Sequence, residues 1–195
     1  CTMEQALLRD AGEGQPYLLA APQELLPEEM DISCLQKLLT RLQKRFDYVL
    51  IDTPSGIGSL TRSLCAMADE TVLITTMDDA AQRGTERISA LLREAQPEAV
   101  ISLIVNRLLP ARRRQDDPGA AAAALSGYLD LPLCAAICMD DAIGSADARK
   151  AAAQAARSPQ WLTALDQAAD RLCGSDTPLK QDRVRRKLWL SRIKG

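Results

Sequence analysis

Short runs of consecutive apolar residues alternate along this chain with segments in which apolar positions recur every three or four residues. The runs PYLLAA, YVLI, ETVLITT, AVISLIVN and LPLCAAIC predict strands. The recurring positions predict helices over Met3–Asp10, Ile32–Phe46, Ser59–Met67, Ala80–Glu94, a segment ending at Tyr128, Ala146–Arg157 and Pro159–Leu172. Because the strands are continuous apolar runs that alternate with helices, the pattern predicts an α/β fold with a doubly wound, mostly parallel sheet covered by helices on both faces.

Composition narrows the chemistry that such a fold can support. Aromatic residues make up only 3% of the 195 residues, which predicts an aliphatic core and disfavours a stacking platform for single-stranded nucleic acid. The chain contains no histidine. That absence excludes Ser-His-Asp and Cys-His nucleophile systems and the usual zinc-finger ligand sets.

The six cysteines are spaced without a CxxC pair. Cys34 and Cys65 lie in apolar surroundings, as buried free thiols do, and Cys134 and Cys138 fall on one face of a predicted strand. We predict reduced structural thiols, which are typical of a cytoplasmic setting, with a metal or redox pair as the alternative.

The segment FDYVLIDTPSGIG holds the clearest candidate site. Its acid, Asp52, follows a predicted strand, and ligands of doubly wound sheets bind at the carboxyl ends of strands. Pro54 and Gly56 predict a tight loop after it, and the alternative is that Asp52 only caps this turn. The phosphate-binding sequence GxxxxGK[ST], which usually accompanies such an acid in nucleotide hydrolases, does not occur in the 195 residues.

FDYVLIDTPSGIG, followed by ADETVLITT, resembles the MinD/ParA group of P-loop ATPases, and its MinD branch most closely. EQALLRD, YLLAAPQ, QRGTERISALL, IVNRLLP and LPLCAAICMDDAI resemble further segments of that group in the same order. The resemblance covers nearly the whole chain. It implies that residues 1–174 are the C-terminal part of a P-loop ATPase domain whose N-terminal strand and phosphate-binding loop are missing.

The resemblance implies ATP and magnesium as cofactors. It assigns Asp52 as the catalytic residue that orients magnesium-bound water, and Pro54 and Gly56 as the loop that senses the γ-phosphate. It implies base contacts from Asn106 and Arg107. As an alternative, Asn106 is a turn residue at the end of a strand.

The loop after the next strand also lines the base pocket in this family. The resemblance assigns this role to Cys138 and Met139, one of which replaces the family's proline. Gly84, which follows Arg83, stands where the family usually has Asp, and this change weakens an implied contact at the dimer face.

The missing loop is the largest departure from the family. The resemblance places the partner of Asp52 upstream of Cys1. We expect no ATPase activity from this chain alone, because nothing in it stabilises the charge that develops on the phosphates. Loss of a central strand is also expected to leave the two neighbouring strands unpaired.

Residues 175–195 are predicted to be a linker and a basic amphipathic tail. From Lys180 onward the chain has seven basic residues and one acidic residue, Asp182, whereas the rest of the chain is acidic. The family ends in a short helix that lies in the membrane interface. The membrane-binding residues implied here are Val184, Leu188, Trp189, Leu190 and Ile193 with Arg185, Arg186 and Lys187. A solvated tail and a nucleic-acid contact are the alternatives, and Trp189 favours the interface.

The resemblance therefore implies a cytoplasmic protein that is peripheral on the inner face of the cell membrane. It implies an ATP-dependent homodimer that binds an anionic membrane surface and works with MinC-like and MinE-like partners in division-site placement. A ParA-like or flagellar-placement ATPase is one alternative. A non-catalytic scaffold that has lost nucleotide binding is the other, and nucleic acid is not an expected partner.

Overall fold

The computed structural model describes residues 3–9, 16–21, 29–110, 117–140, 143 and 158–174. The helices are α1 Met3–Ala6, α2 Ile32–Gln43, α3 Ser59–Met67, α4 Asp79–Ala95, α5 Pro118–Leu129 and α6 Pro159–Leu172. The strands are β1 Leu7–Arg9, β2 Tyr17–Leu19, β3 Glu70–Thr75, β4 Val100–Leu108 and β5 Leu133–Cys138. The helix predicted over Ala146–Arg157 and the tail predicted over 175–195 lie outside the described residues.

The chain divides into two compact units, Cys1–Leu64 and Cys65–Gly195. In the first unit β1 and β2 form an antiparallel pair in which Leu8 lies opposite Leu18. The helix predicted over Met3–Asp10 is therefore too long. It ends at Ala6, because the next three residues pair with β2 instead.

Helix α2 begins where the sequence predicts. The side chain of Asp31 accepts hydrogen bonds from the backbone N–H groups of Ser33 and Cys34, at 2.8 and 3.4 Å, so it satisfies two donors of the first turn. Helix α2 buries Leu42 on its inner face. Cys34 is exposed rather than buried, and its Sγ donates to Oδ2 of Asp31. The prediction of a buried thiol at this position is wrong, because the first turn of the helix faces solvent.

The predicted strand YVLI does not form. No strand is present from Tyr48 to Ile51, and the side chain of Leu50 is 89% exposed. Tyr48 is 66% exposed. A β-strand is held by backbone hydrogen bonds to a neighbouring strand, and this run pairs with no strand among the described residues. Apolar composition alone is therefore not enough to make this run a strand.

The second unit contains a three-stranded parallel sheet in the order β3–β4–β5. The central strand β4 is buried on both faces from Ile101 to Val105, which explains why it reads as a continuous apolar run. On one face, α6 packs Ala164 and Ala168 into a cluster with Ile104 and Ala135. Helices α4 and α5 also flank the sheet. The predicted α/β class with a parallel, helix-covered sheet is confirmed.

Strand β3 is an edge strand within the described sheet. It pairs with β4, where Ile74 lies opposite Ile104. The two side chains have very different environments, since Ile74 is 66% exposed and Ile104 is 9% exposed. The helix that covers Ile104 leaves the outer edge of the sheet at Ile74 open to solvent.

Candidate functional site

The segment after Ile51 is a loop that leads into α3. Asp52, Pro54 and Gly56 are all exposed in it. Gly56 has φ +92°, a conformation that a residue with a side chain rarely adopts, although the space around its α-carbon is open. The glycine is therefore required by the backbone of the turn rather than by crowding. Helix α3 then anchors the loop through buried Leu60 and Leu64.

Two of the predicted base-contacting segments lie side by side at the carboxyl edge of the parallel sheet. Asn106 and Arg107 lie just before the last residue of β4, Leu108, and Cys138 ends β5. The backbone N–H of Met139 donates to the carbonyl oxygen of Leu108 at 2.7 Å, so the loop after β5 is joined directly to the end of β4. The structure thus brings together the predicted base-site residues of both strands.

The end of β4 has an unusual backbone. Arg107 has φ +56°, in the left-handed region that a non-glycine residue enters only when its surroundings impose it. Its N–H donates to Oδ1 of Asn106 at 2.8 Å. Asn106 is half-buried and Arg107 is exposed. Asn106 lies within β4, two residues before its end, and this bond orients its carboxamide. Its contact with a base stays a prediction.

The start of α4 lies at the same edge of the sheet, after β3. Asp78 is the N-cap and accepts from the backbone N–H of Ala81 at 2.9 Å. The hydroxyl of Thr76 also donates to Asp78, and these two hydrogen bonds lower the pKa of the Asp78 carboxyl. The hydroxyls of Thr75 and Thr85 bond to each other at 2.8 Å and fix the helix to the strand.

The chain is similar to known proteins in both sequence and structure. The family described as an AAA domain matches residues 13–105. The septum site-determining protein MinD of Synechocystis is 38% identical over 110 residues, which are 56% of this chain and 41% of that protein. The candidate MinD of Guillardia theta is 32% identical over 143 residues, 73% of this chain and 52% of that protein. The chain belongs to the MinD/ParA family of P-loop ATPases.

Solved structures of MinD proteins share the fold. The structure of the MinC:MinD complex of Aquifex aeolicus has a TM-score of 0.72 at 22% identity, covering 91% of this chain and 70% of that chain. MinD of Pyrococcus horikoshii, complexed with Mg-ADP, has a TM-score of 0.65 at 23% identity, covering 88% and 69%. The chain spans about half the length of the curated relatives it matches.

The residues present fit only part of a MinD-type nucleotide site. Asn106 supplies a carboxamide, the group that matches an adenine edge, and Asp52 supplies a carboxylate suited to a magnesium-bound water. Asp52 lies in the first unit and Asn106 in the second. The phosphate-binding sequence of the family does not occur in the chain.

A shallow groove between α4 and α5 was missed by the sequence analysis. It is open to solvent and is lined by Asp79, Gln82, Arg83, Glu86 and Tyr128. The Tyr128 hydroxyl donates to Oε1 of Glu86 at 3.3 Å. The helical spacing of the α4 residues could have revealed their shared face, but nothing in the sequence places Tyr128 beside them.

The predicted membrane-binding residues, Val184 to Ile193, lie outside the described residues. Among the helices that the structure does describe, none is long and apolar enough to cross a membrane. The same part of the chain contains no group of three or more Cys, Asp or Glu side chains that could hold a metal ion.

Proposed function

We propose that this chain is part of an ATP-dependent, membrane-associated regulator of division-site placement of the MinD type. The observation that carries the proposal is the 38% identity to a septum site-determining MinD protein. The geometry of the strand ends supports it, because the N–H of Met139 donates to the carbonyl oxygen of Leu108 and joins the loop after β5 to the end of β4, at the edge where doubly wound proteins bind ligands.

The nucleotide would be ATP with magnesium, as the Mg-ADP complex of the Pyrococcus horikoshii relative supports. Asp52 would orient a magnesium-bound water, with Pro54 and Gly56 in the loop that responds to the γ-phosphate. Cys138 and Met139 would line the base pocket with Asn106 and Arg107. By itself this chain would not hydrolyse ATP, because it contains no GxxxxGK[ST] sequence to hold the phosphates.

The partners would be a second copy of the protein, an anionic membrane surface and a septum inhibitor. The MinC:MinD complex of Aquifex aeolicus supports the last of these. One basic tail would bind a membrane weakly, and two tails linked in a dimer would bind it well, because the second contact is then intramolecular. Release would follow hydrolysis, promoted by a MinE-like partner.

The test is sedimentation of the chain with anionic liposomes across a salt series. Deleting residues 180–195 is expected to abolish binding and leave the α/β body folded. Replacing Trp189 and Ile193 with Glu is expected to abolish it too, while all seven basic residues remain. An inserted helix resists moderate salt, since each buried large apolar side chain contributes about 1.5–3 kcal/mol. A purely electrostatic tail is released, because exposed charges are screened beyond ~8 Å at physiological ionic strength.

One outcome of that experiment would contradict the membrane anchor, and another would favour a different function. If the double Glu variant still pellets, the apolar residues do not insert and the membrane-anchor proposal fails. If duplex DNA competes with the vesicles equally well, a ParA-like function is favoured. A non-catalytic scaffold would bind partners unchanged in the presence or absence of ATP.

A further inference from the structure

A row of basic side chains lies along the exposed face of helix α2. Lys37, Arg41 and Lys44 follow one another at intervals of four and three residues, and all three are exposed. Lys44 is the C-cap and keeps a helical backbone conformation, with φ −76° and ψ −13°. Helical spacing places the three side chains within about 60° around the axis and over about 10 Å along it. The opposite face carries the leucines, of which Leu42 is buried.

No acidic residue compensates this row. Helix α2 contains neither Asp nor Glu, whereas α4 balances three arginines with three acidic residues. Among the described residues, Arg93 pairs with Asp130, and none of the three α2 cations forms an ion pair. Arg45, the next cation along the chain, is not part of the row, because its guanidinium lies 5.7 Å from the centre of the Phe46 ring.

The stability of the helix does not explain this arrangement. Like charges four residues apart, such as those of Lys37 and Arg41, destabilise a helix slightly. The negative end of the helix dipole favours cations in the last turn, which accounts for Arg41 and Lys44 but not for Lys37. An exposed row of cations that the helix does not require for its own stability indicates an anionic partner.

We propose that the basic face of α2, formed by Lys37, Arg41 and Lys44, binds the anionic headgroups of a membrane as a second contact besides the tail. The inference rests on the proposed membrane function. Each Lys or Arg side chain near an anionic bilayer surface favours binding. Three such side chains hold a protein only weakly. They become effective once the tail has bound, because the second contact is then intramolecular.

The number and arrangement of the cations favour a lipid surface over duplex nucleic acid. Affinity for a duplex grows with the number of phosphates neutralised, and strong binders contact roughly six to ten of them. A row of three cations falls short of that number. Anionic lipids diffuse in the plane of the bilayer and can gather beneath a short row. Because the leucines of α2 lie on its other face, the contact is electrostatic and sensitive to salt.

Sedimentation with anionic liposomes compares the wild-type chain with the double variant Lys37→Gln and Arg41→Gln, both with the tail intact. Glutamine removes the charge and keeps a similar helix propensity. Binding of the variant is expected to be about 25-fold weaker at low salt, or about fivefold for each cation. The difference is expected to disappear near 1 M salt, where the screening length is about 3 Å.

A matched control removes two exposed cations from other helices. Arg62→Gln with Arg87→Gln, on α3 and α4, lowers the net charge by the same amount and leaves the α2 row intact. Its binding is expected to stay close to that of the wild-type chain. The denaturation midpoint of the α2 variant is expected to equal or exceed that of the wild-type chain, because a pair of like charges has been removed. Misfolding therefore does not explain a loss of binding.

Amine-reactive labelling, read by mass spectrometry, reports on the α2 face directly. Anionic vesicles are expected to slow the modification of Lys37 and Lys44 in the wild-type chain, and neutral vesicles are expected to leave it unchanged. If anionic vesicles leave both lysines unprotected, the inference is wrong whether or not the tail inserts. If duplex DNA protects them more strongly than vesicles do, the face binds nucleic acid instead.

The sedimentation series separates this inference from the proposed tail anchor. Equal binding by the α2 variant and the wild-type chain at low salt would overturn the α2 contact. Equal losses in the α2 variant and in the control would show that only net charge matters, which also overturns it. Failure of the tail anchor removes the salt-resistant binding of every chain. Failure of the α2 contact leaves that binding in place and removes only the difference between chains at low salt.

Discussion

The carboxylate of Asp31 makes helix α2 sensitive to acid. Hydrogen bonds from Ser33 and Cys34 lower its pKa from 3.8 to about 2. A carboxyl whose pKa is lower in the folded state stabilises the fold above its unfolded pKa. This contribution is therefore expected to be complete above about pH 4 and to disappear as the pH falls from 3.8 towards 2.

The measurement compares the wild-type chain with Asp31→Asn, which keeps a capping oxygen but cannot ionise. Denaturation midpoints are followed by the helical signal in circular dichroism at several pH values. The denaturation midpoint of the wild-type chain is expected to exceed that of Asp31→Asn at pH 4, and this difference is expected to shrink as the pH falls to 2. A difference between the two chains that does not change with pH would show that the charge of Asp31 plays no part.

Asp52 is predicted to act in the transition state rather than in nucleotide binding. In a chimera that carries the phosphate-binding segment of a MinD relative, Asp52→Ala should keep nucleotide affinity within a few-fold and lower kcat by roughly 100-fold, because orienting the attacking water matters most when the bond breaks. Asp47→Ala, an exposed acid in the same segment, is the control. An unchanged kcat in Asp52→Ala would show that the acid only caps a turn.

The place of Asn106 near the edge of the sheet could be predicted, but the backbone geometry beside it could not. Asn106 ends an apolar run, so its place at the edge of the sheet follows from the pattern. The left-handed conformation of Arg107 has no sequence signal, since Gly, Asn and Asp are the residues that normally mark such a position. It lies where the pairing of β4 with β5 shifts register between Val105 and Leu108, a tertiary feature that the sequence pattern does not show.

Strand β3 provides a test at the level of elements, because its outer edge is open. Ile74→Ala is expected to cost less than about 1 kcal/mol of the free energy of unfolding, since its side chain is already largely in solvent. Ile104→Ala, at the paired position of β4, is expected to cost about 2–5 kcal/mol, because it leaves a cavity under α6.

Chemical denaturation of the two variants checks this pair. If Ile74→Ala and Ile104→Ala lower the free energy of unfolding equally, then Ile74 is covered in solution by a part of the chain beyond the described residues. Ile74→Lys is also expected to reduce self-association, since a charge on an edge strand opposes pairing with another strand.

The three strands of the parallel sheet were predicted correctly, whereas Leu7–Arg9 was predicted as helix and YVLI as a strand that does not form. ETVLITT, AVISLIVN and LPLCAAIC form β3, β4 and β5, because each finds a neighbouring strand. YVLI is similarly apolar, but it forms no strand pair among the described residues, and Leu50 is exposed. Periodicity and composition report the tendency to form a strand, whereas the strand itself depends on a neighbour that the pattern cannot supply.

At the scale of the whole molecule, the affinity for ATP depends on groups that this chain does not contain. In P-loop ATPases, backbone N–H groups and a lysine hold the phosphates, and the base contributes a smaller part. Here Asn106 and Arg107 are proposed to contact the base, and no GxxxxGK[ST] sequence is present. We expect ATP with magnesium to bind the isolated chain no more tightly than adenosine does, with a Kd weaker than about 1 mM.

Titration calorimetry with ATP and magnesium is therefore expected to show no measurable binding to the isolated chain at micromolar concentrations. The chimera with a relative's phosphate-binding segment serves as the positive control and is expected to bind. Micromolar binding by the isolated chain would overturn the prediction, because another part of these 195 residues would then have to hold the triphosphate. Such a result would indicate that basic residues of the chain bind the triphosphate, because they are the remaining groups that can neutralise several phosphate charges at once.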